Sequence, residues 1–81
     1  MIGIIKWIGP LTNSRSGGVY KLVAIDLPDT KEGRAHVYLN PEHRNYEKWS
    51  PLLEKGNTIN GLVWRDKNSK TLDGDSPVEL I

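Results

Sequence analysis

Apolar and polar positions alternate in short stretches along this chain, and turn residues separate one stretch from the next. Arg34–Leu39 alternates strictly. Ala35, Val37 and Leu39 fall on one side and Arg34, His36 and Tyr38 on the other, which is the period of a half-buried strand. Met1–Ile8, rich in isoleucine and carrying Trp7, predicts a first strand that ends at Gly9-Pro10. Val19–Ile25, rich in β-branched residues, predicts a second. Between them Leu11–Gly18 reads as a mobile polar loop, because its small polar residues and adjacent Gly17 and Gly18 have little to bury. Asp26–Gly33, with Pro28-Asp29, predicts a turn. Asn40-Pro41-Glu42 has the residues of a helix start, and Tyr46, Trp49, Leu52 and Leu53 follow at near-helical spacing. Ser50-Pro51 predicts a break in that helix and Gly56 its end. Asn57–Arg65 predicts a fourth strand, bent at Gly61, and Asp66–Asp75 a polar loop. Ser76–Ile81 predicts a short last strand, with Pro77 suited to a sheet edge.

The order β-β-β-α-β-β predicts an all-β fold with one short helix, arranged as a five-stranded Greek-key barrel in a single domain over residues 1–81. Trp49, Leu52 and Leu53 would plug one end of it. An SH3-like barrel also has five strands. Its usual helical turn falls before the last strand, where this chain has the polar Asp66–Asp75 segment. In its order of elements, from Ile2 to Leu80, the chain resembles a stand-alone OB-fold domain that binds single-stranded nucleic acid. That resemblance implies a platform on the outer faces of the second and third strands. It also implies two loops closing over the platform, here Gly9–Gly18 and Asp66–Asp75.

Composition narrows the possibilities. At 81 residues the chain has room for one small domain, too little for a dinucleotide-binding α/β domain or a TIM barrel. With no cysteine it forms no disulfide scaffold and no thiolate metal site. Apolar runs are a few residues long, so no membrane span is expected. Pro10 cuts short the apolar opening, so no signal-peptide pattern is read and a cytoplasmic location is expected. The net charge of +1 does not by itself announce a polyanionic ligand, but its distribution is uneven. Met1–Ile25 holds Lys6, Arg15 and Lys21 and no acid, whereas Leu72–Ile81 holds Asp73, Asp75 and Glu79 and no cation. A basic groove is compatible with a near-neutral total, because binding responds to the local field.

Candidate binding residues follow from strand parity. An unpaired lysine is costly in a core, so Lys21 is expected outside with Val19 and Val23, leaving Tyr20, Leu22 and Ala24 inside. A slip of one residue would reverse that assignment. Lys21, Arg34, His36 and Tyr38 then form a platform on which rings stack on bases and cations hold phosphates. Arg15, Arg65, Lys67 and Lys70 would line the phosphate path, and Trp7 and Trp64 are further stacking candidates. Trp49 is expected in the core. His36 and His43 lack ligand spacing, and Asp73-Gly74-Asp75-Ser76 is followed by too little chain for an EF-hand loop, so no metal and no cofactor is expected. Gly17-Gly18 is not followed by the Lys-Ser/Thr of a phosphate loop, and no nucleophile–base motif or paired glycosidase carboxylates are identifiable, so the chain is not read as an enzyme.

Two functions fit. One is sequence-tolerant binding of single-stranded DNA, with RNA as the close variant. The other is a small protein-interaction module, a subunit of a larger assembly or a product of a virus or mobile element, with exposed aromatics as its anchors. Oligomeric state is left open by the sequence.

Overall fold

Strict alternation becomes strand as expected. In the computed structural model, which describes all 81 residues, Gly33–Leu39 forms β4 and buries Ala35, Val37 and Leu39. Its partner β3 is longer than the sequence suggested, running over Val19–Leu27 with Val23, Ile25 and Leu27 fully buried. The first strand, β1 (Gly3–Ile8), pairs antiparallel with β3 on one side and with β5 (Thr58–Asn60) on the other. The molecule is thus mostly β with one short helix, and its sheet is a curled, open half-barrel.

Eight strands stand where five were expected. Thr12–Asn13 forms β2, which folds back on β3. The turn after it is closed by the Ser14 N–H donating to Gly18 O at 2.7 Å and the Gly18 N–H donating to Ser14 Oγ at 3.1 Å. The segment expected to be a mobile loop is therefore a bonded hairpin. The expected fourth strand is broken at Gly61–Val63 into β5 and β6 (Trp64–Asp66). Gly61 has a φ of 87°, and a Cβ there would collide with the Pro77 carbonyl, so the break requires glycine. Thr71–Leu72 forms β7 inside the segment read as loop, with Leu72 buried, and the last strand shrinks to β8 (Glu79–Leu80).

The strand order is β6-β7-β4-β3-β1-β5-β8, antiparallel except where β4 meets β7. Strands β5 and β6 lie near opposite ends of that path yet are consecutive in the chain, which forces the sheet to curl. Backbone bonds tighten the curl: Leu62 N–H donates to Met1 O at 3.1 Å and Asp73 N–H to Val63 O at 2.8 Å. Thirteen buried apolar residues fill the inside as one cluster.

Between β4 and β5 lie α1, only Tyr46–Trp49, and a 3-10 turn at Ser50–Leu52. The Asn40-Pro41-Glu42 start signal caps a turn instead of a helix, with Asn40 Oδ1 accepting the Glu42 N–H at 2.8 Å. Trp49 and Leu52 are buried, with Leu53 and Tyr46 packed against the same cluster. Trp49 Nε1 donates to Gly74 O at 2.8 Å, which fastens the chain before β8 to the plug. No helix is long and apolar enough to cross a membrane.

Candidate nucleic-acid interface

The parity of β3 decides what the sheet shows to solvent. Burial of Val23, Ile25 and Leu27 sets one face of β3 inward. Tyr20, Leu22, Ala24 and Asp26 therefore point outward, the reverse of the sequence expectation. Lys21 has inward parity but stands at the rim. Its Nζ reaches the Tyr46 hydroxyl at 3.2 Å and lies 5.7 Å from the centre of that ring. A lysine at a strand end escapes the core penalty by laying its stem along apolar surface and extending its head. It is a strut between sheet and helix, and it is not on the platform. The signal that sets the register, the pair Asp26-Leu27, lies just beyond the expected end of the strand at Ile25.

On β4 the expectation holds: Arg34, His36 and Tyr38 face out. They pair with Asp26, Ala24 and Leu22 respectively. Trp7 joins the same face through a bulge. The β1–β3 register runs Ile5↔Ile25 and then Trp7↔Ala24, so Lys6 is an extra residue. Simple alternation from buried Ile5 would have sent Trp7 into the core; the bulge turns it out, 48% exposed. The indole lies over Gly9, where a Cβ would sit 2.7 Å from the ring. One row across the sheet thus reads Trp7, Ala24, His36, Thr71. Small Ala24 makes a trough between two rings whose strands are about 10 Å apart.

Tyr38, 50% exposed, is the centre of the face. Tyr20 meets it edge-on at 5.5 Å and His36 at 5.4 Å. The His36 ring is held by a hydrogen bond of 3.1 Å between Nε2 and Thr71 Oγ1, and Thr71 is bonded in turn to Ser69 Oγ at 2.8 Å. Tyr38 is also the common wall of three hollows. One of about 630 Å³ lies toward the β2–β3 hairpin, with Asn13, Arg15, Tyr20 and Asn40 in its lining. A second of about 350 Å³ lies over Leu22, Ala24 and His36, rimmed by Arg34, Ser69 and Lys70. The third, about 330 Å³, is bordered by Arg65 and by Asp73 and Asp75.

The cations differ in how free they are. Arg15, Arg65 and Lys70 form no ion pair. Arg34 lies 3.5 Å from Asp26 and Lys67 lies 3.3 Å from Glu32, so each is already partly neutralised. Trp64 leaves the candidate set. It pairs with buried Leu72 and packs on the core cluster, so its ring faces inward. Tyr20, Asn13, Asn40, Ser69 and Thr71 enter the site from outside the expected set. Nowhere do three metal-ligating side chains gather. No protein-family model, no curated protein and no solved structure matches the chain.

Proposed function

We propose that this chain is an OB-fold-like module that binds single-stranded DNA or RNA without requiring a fixed sequence. The observation that carries the reading is the placement of Trp7, Tyr20, His36 and Tyr38 on one exposed sheet face, with unpaired Arg15 and Lys70 on the hairpins at its two sides. Stacking on such rings tolerates any base, because every base has a π-face, and the cations hold the backbone. The ladder supports the fold comparison. Strands β1, β3 and β4 are antiparallel neighbours, β4 meets β7 in parallel, and β1 meets β5 antiparallel, with the helix between β4 and β5. In this reading β5 and β6 are two halves of one bent barrel strand.

Duplex DNA hides its base faces in the stack, so the rings have nothing to engage there. Fluorescence-polarisation titrations with labelled single strands and the matching duplex are the test. Single strands bind more tightly, and their affinity falls as salt rises. Failure to bind any single strand at low salt overturns the proposal. A second reading, a protein-interaction module, is favoured by a different surface. Ile2, Leu80 and Ile81 are exposed at the β1–β5–β8 end of the sheet, and Leu80 lies on the open edge strand.

A further inference from the structure

We infer that Ser69 and Thr71 are positioning residues, which hold the His36 ring ready for the strand as the tautomer with its proton on Nε2. This role rests on the single-strand reading and adds to it the device that keeps one ring of the face in place.

A histidine ring turns broadly about its second side-chain torsion, so a ring on an open sheet face needs a partner to stand still. His36 has that partner on the neighbouring strand. It pairs with Thr71 across the β4–β7 ladder, its N–H donates to Lys70 O at 3.0 Å, and its Nε2 lies 3.1 Å from Thr71 Oγ1. The hydroxyls beyond Thr71 decide which atom gives the proton. The Asp66 carbonyl only accepts, so the Ser69 hydroxyl donates to it at 3.3 Å. Ser69 has then spent its one proton, and its Oγ accepts from Thr71 Oγ1 at 2.8 Å. Thr71 has spent its proton in turn and accepts from His36. Nε2 therefore carries the ring proton. Nδ1, which makes no hydrogen bond inside the protein, is left free to accept one.

The chain of hydroxyls ends in the β6–β7 turn. That turn is pinned by the Lys70 N–H donating to Lys67 O at 3.1 Å and the Asn68 N–H donating to Asp66 Oδ1 at 3.1 Å. The ring and the turn that carries Lys70 are thus one bonded unit. Ser69 is exposed, and His36 and Thr71 are half-buried. Water competes for such groups, so their bonds add little to folding. Their contribution is order on the face. The His36 and Tyr38 rings stand at an interplanar angle of 82°, and a ring already ordered costs less to stack on.

Ring proton–nitrogen spectra are recorded at about pH 8.5, where an ordinary imidazole is neutral. They show a His36 Nε2–H proton slowed in exchange by its bond to Thr71, with Nδ1 unprotonated. His43, whose Nε2 has no partner, gives no such signal. Thr71→Val keeps the β-branched shape but removes the hydroxyl. It loses the proton signal and binds oligo-dT about threefold to tenfold more weakly, because the ring must then be ordered on binding. Thr71→Ser restores both. Circular dichroism checks that the variants fold; if Thr71→Val does not, Ser69→Ala, on the exposed turn, is read instead and also weakens the signal and the affinity. A His36 proton on Nδ1, or shared between the two nitrogens, overturns the inference and leaves the single-strand reading standing. Full affinity in the folded Thr71→Val variant, or a loss that Thr71→Ser does not repair, overturns the positioning role. A parent protein that binds no oligo-dT at low salt overturns the single-strand reading itself, whichever nitrogen carries the proton.

Discussion

Tyr38 touches Tyr20, His36 and three separate hollows while leaving half its surface in water. Its ring contributes little to the core, so Tyr38→Ala is expected to leave the unfolding midpoint nearly unchanged. It is expected to weaken strand binding by about 1–3 kcal/mol, about tenfold or more, as read by polarisation. Lys70 carries a different signature. Its φ of 56° is the left-handed conformation that an L side chain adopts at a cost, at the turn where glycine or asparagine would sit without strain. Its carbonyl accepts the His36 N–H at 3.0 Å and its side chain rims the trough. Lys70→Gly is therefore expected to raise stability by about 0.5–1 kcal/mol in urea denaturation. The same change is expected to lower affinity about threefold to tenfold at low salt. A variant that gains stability without losing affinity would show that Lys70 serves no ligand. At this scale the sequence made Arg34, His36 and Tyr38 legible, because β4 alternates without interruption. It offered Trp7 as a stacking candidate without fixing its side, which depends on a one-residue bulge at Lys6, and it hid Tyr20, whose face depends on a register that Lys21 disguises by sitting at the rim.

Elements that alternate cleanly and elements that bend were unequally legible for a physical reason. A strand half buried along its length writes its face into the sequence, as β4 does. A strand that turns a corner must break its pattern to do so. The segment Asn57–Arg65 breaks at Gly61, where the backbone takes a positive φ against the Pro77 carbonyl, and continues as β6 toward the far end of the sheet. Gly61→Ala is expected to destabilise the fold by about 2 kcal/mol or more, measured by urea denaturation, since strain and a backbone clash act together. A loss below about 0.5 kcal/mol would mean that the corner is not fixed there. Strand β7 leaves no pattern in the sequence, because Leu72 is the only large apolar side chain between Asp66 and Asp75, and a single buried residue makes no period. The helix lies between β4 and β5 as its signals predict, and is shorter than they predict. Its capping signals are spent on the Asn40–Glu42 turn, and the burial of Trp49 needs only the four residues that form.

Across the whole molecule, the near-neutral sum of charges conceals an uneven supply of free cations. With Arg15, Arg65 and Lys70 each meeting one phosphate, the slope of log K against log salt is expected near −2, at about −0.7 per contact on a single strand. Lys67 shares its charge with Glu32, so Lys67→Ala is expected to change that slope less than Lys70→Ala does. An equal change would place the phosphate path along the Lys67 side of the turn. The same free cations and rings all lie toward one face, while the apolar Ile2, Leu80 and Ile81 lie toward the end of the sheet that carries β8. That separation makes the central claim open to direct mapping. An amide and indole nitrogen–proton correlation spectrum, recorded while a single-stranded oligonucleotide is added, reports the backbone N–H groups and the three indoles at once. Shifts are expected at the Trp7 indole, through Ser14–Tyr20, His36–Asn40 and Ser69–Thr71, with Thr58–Asn60 and Glu79–Ile81 unmoved. Shifts confined to the Ile2 and Leu80 region, or none at all at low salt, would contradict it.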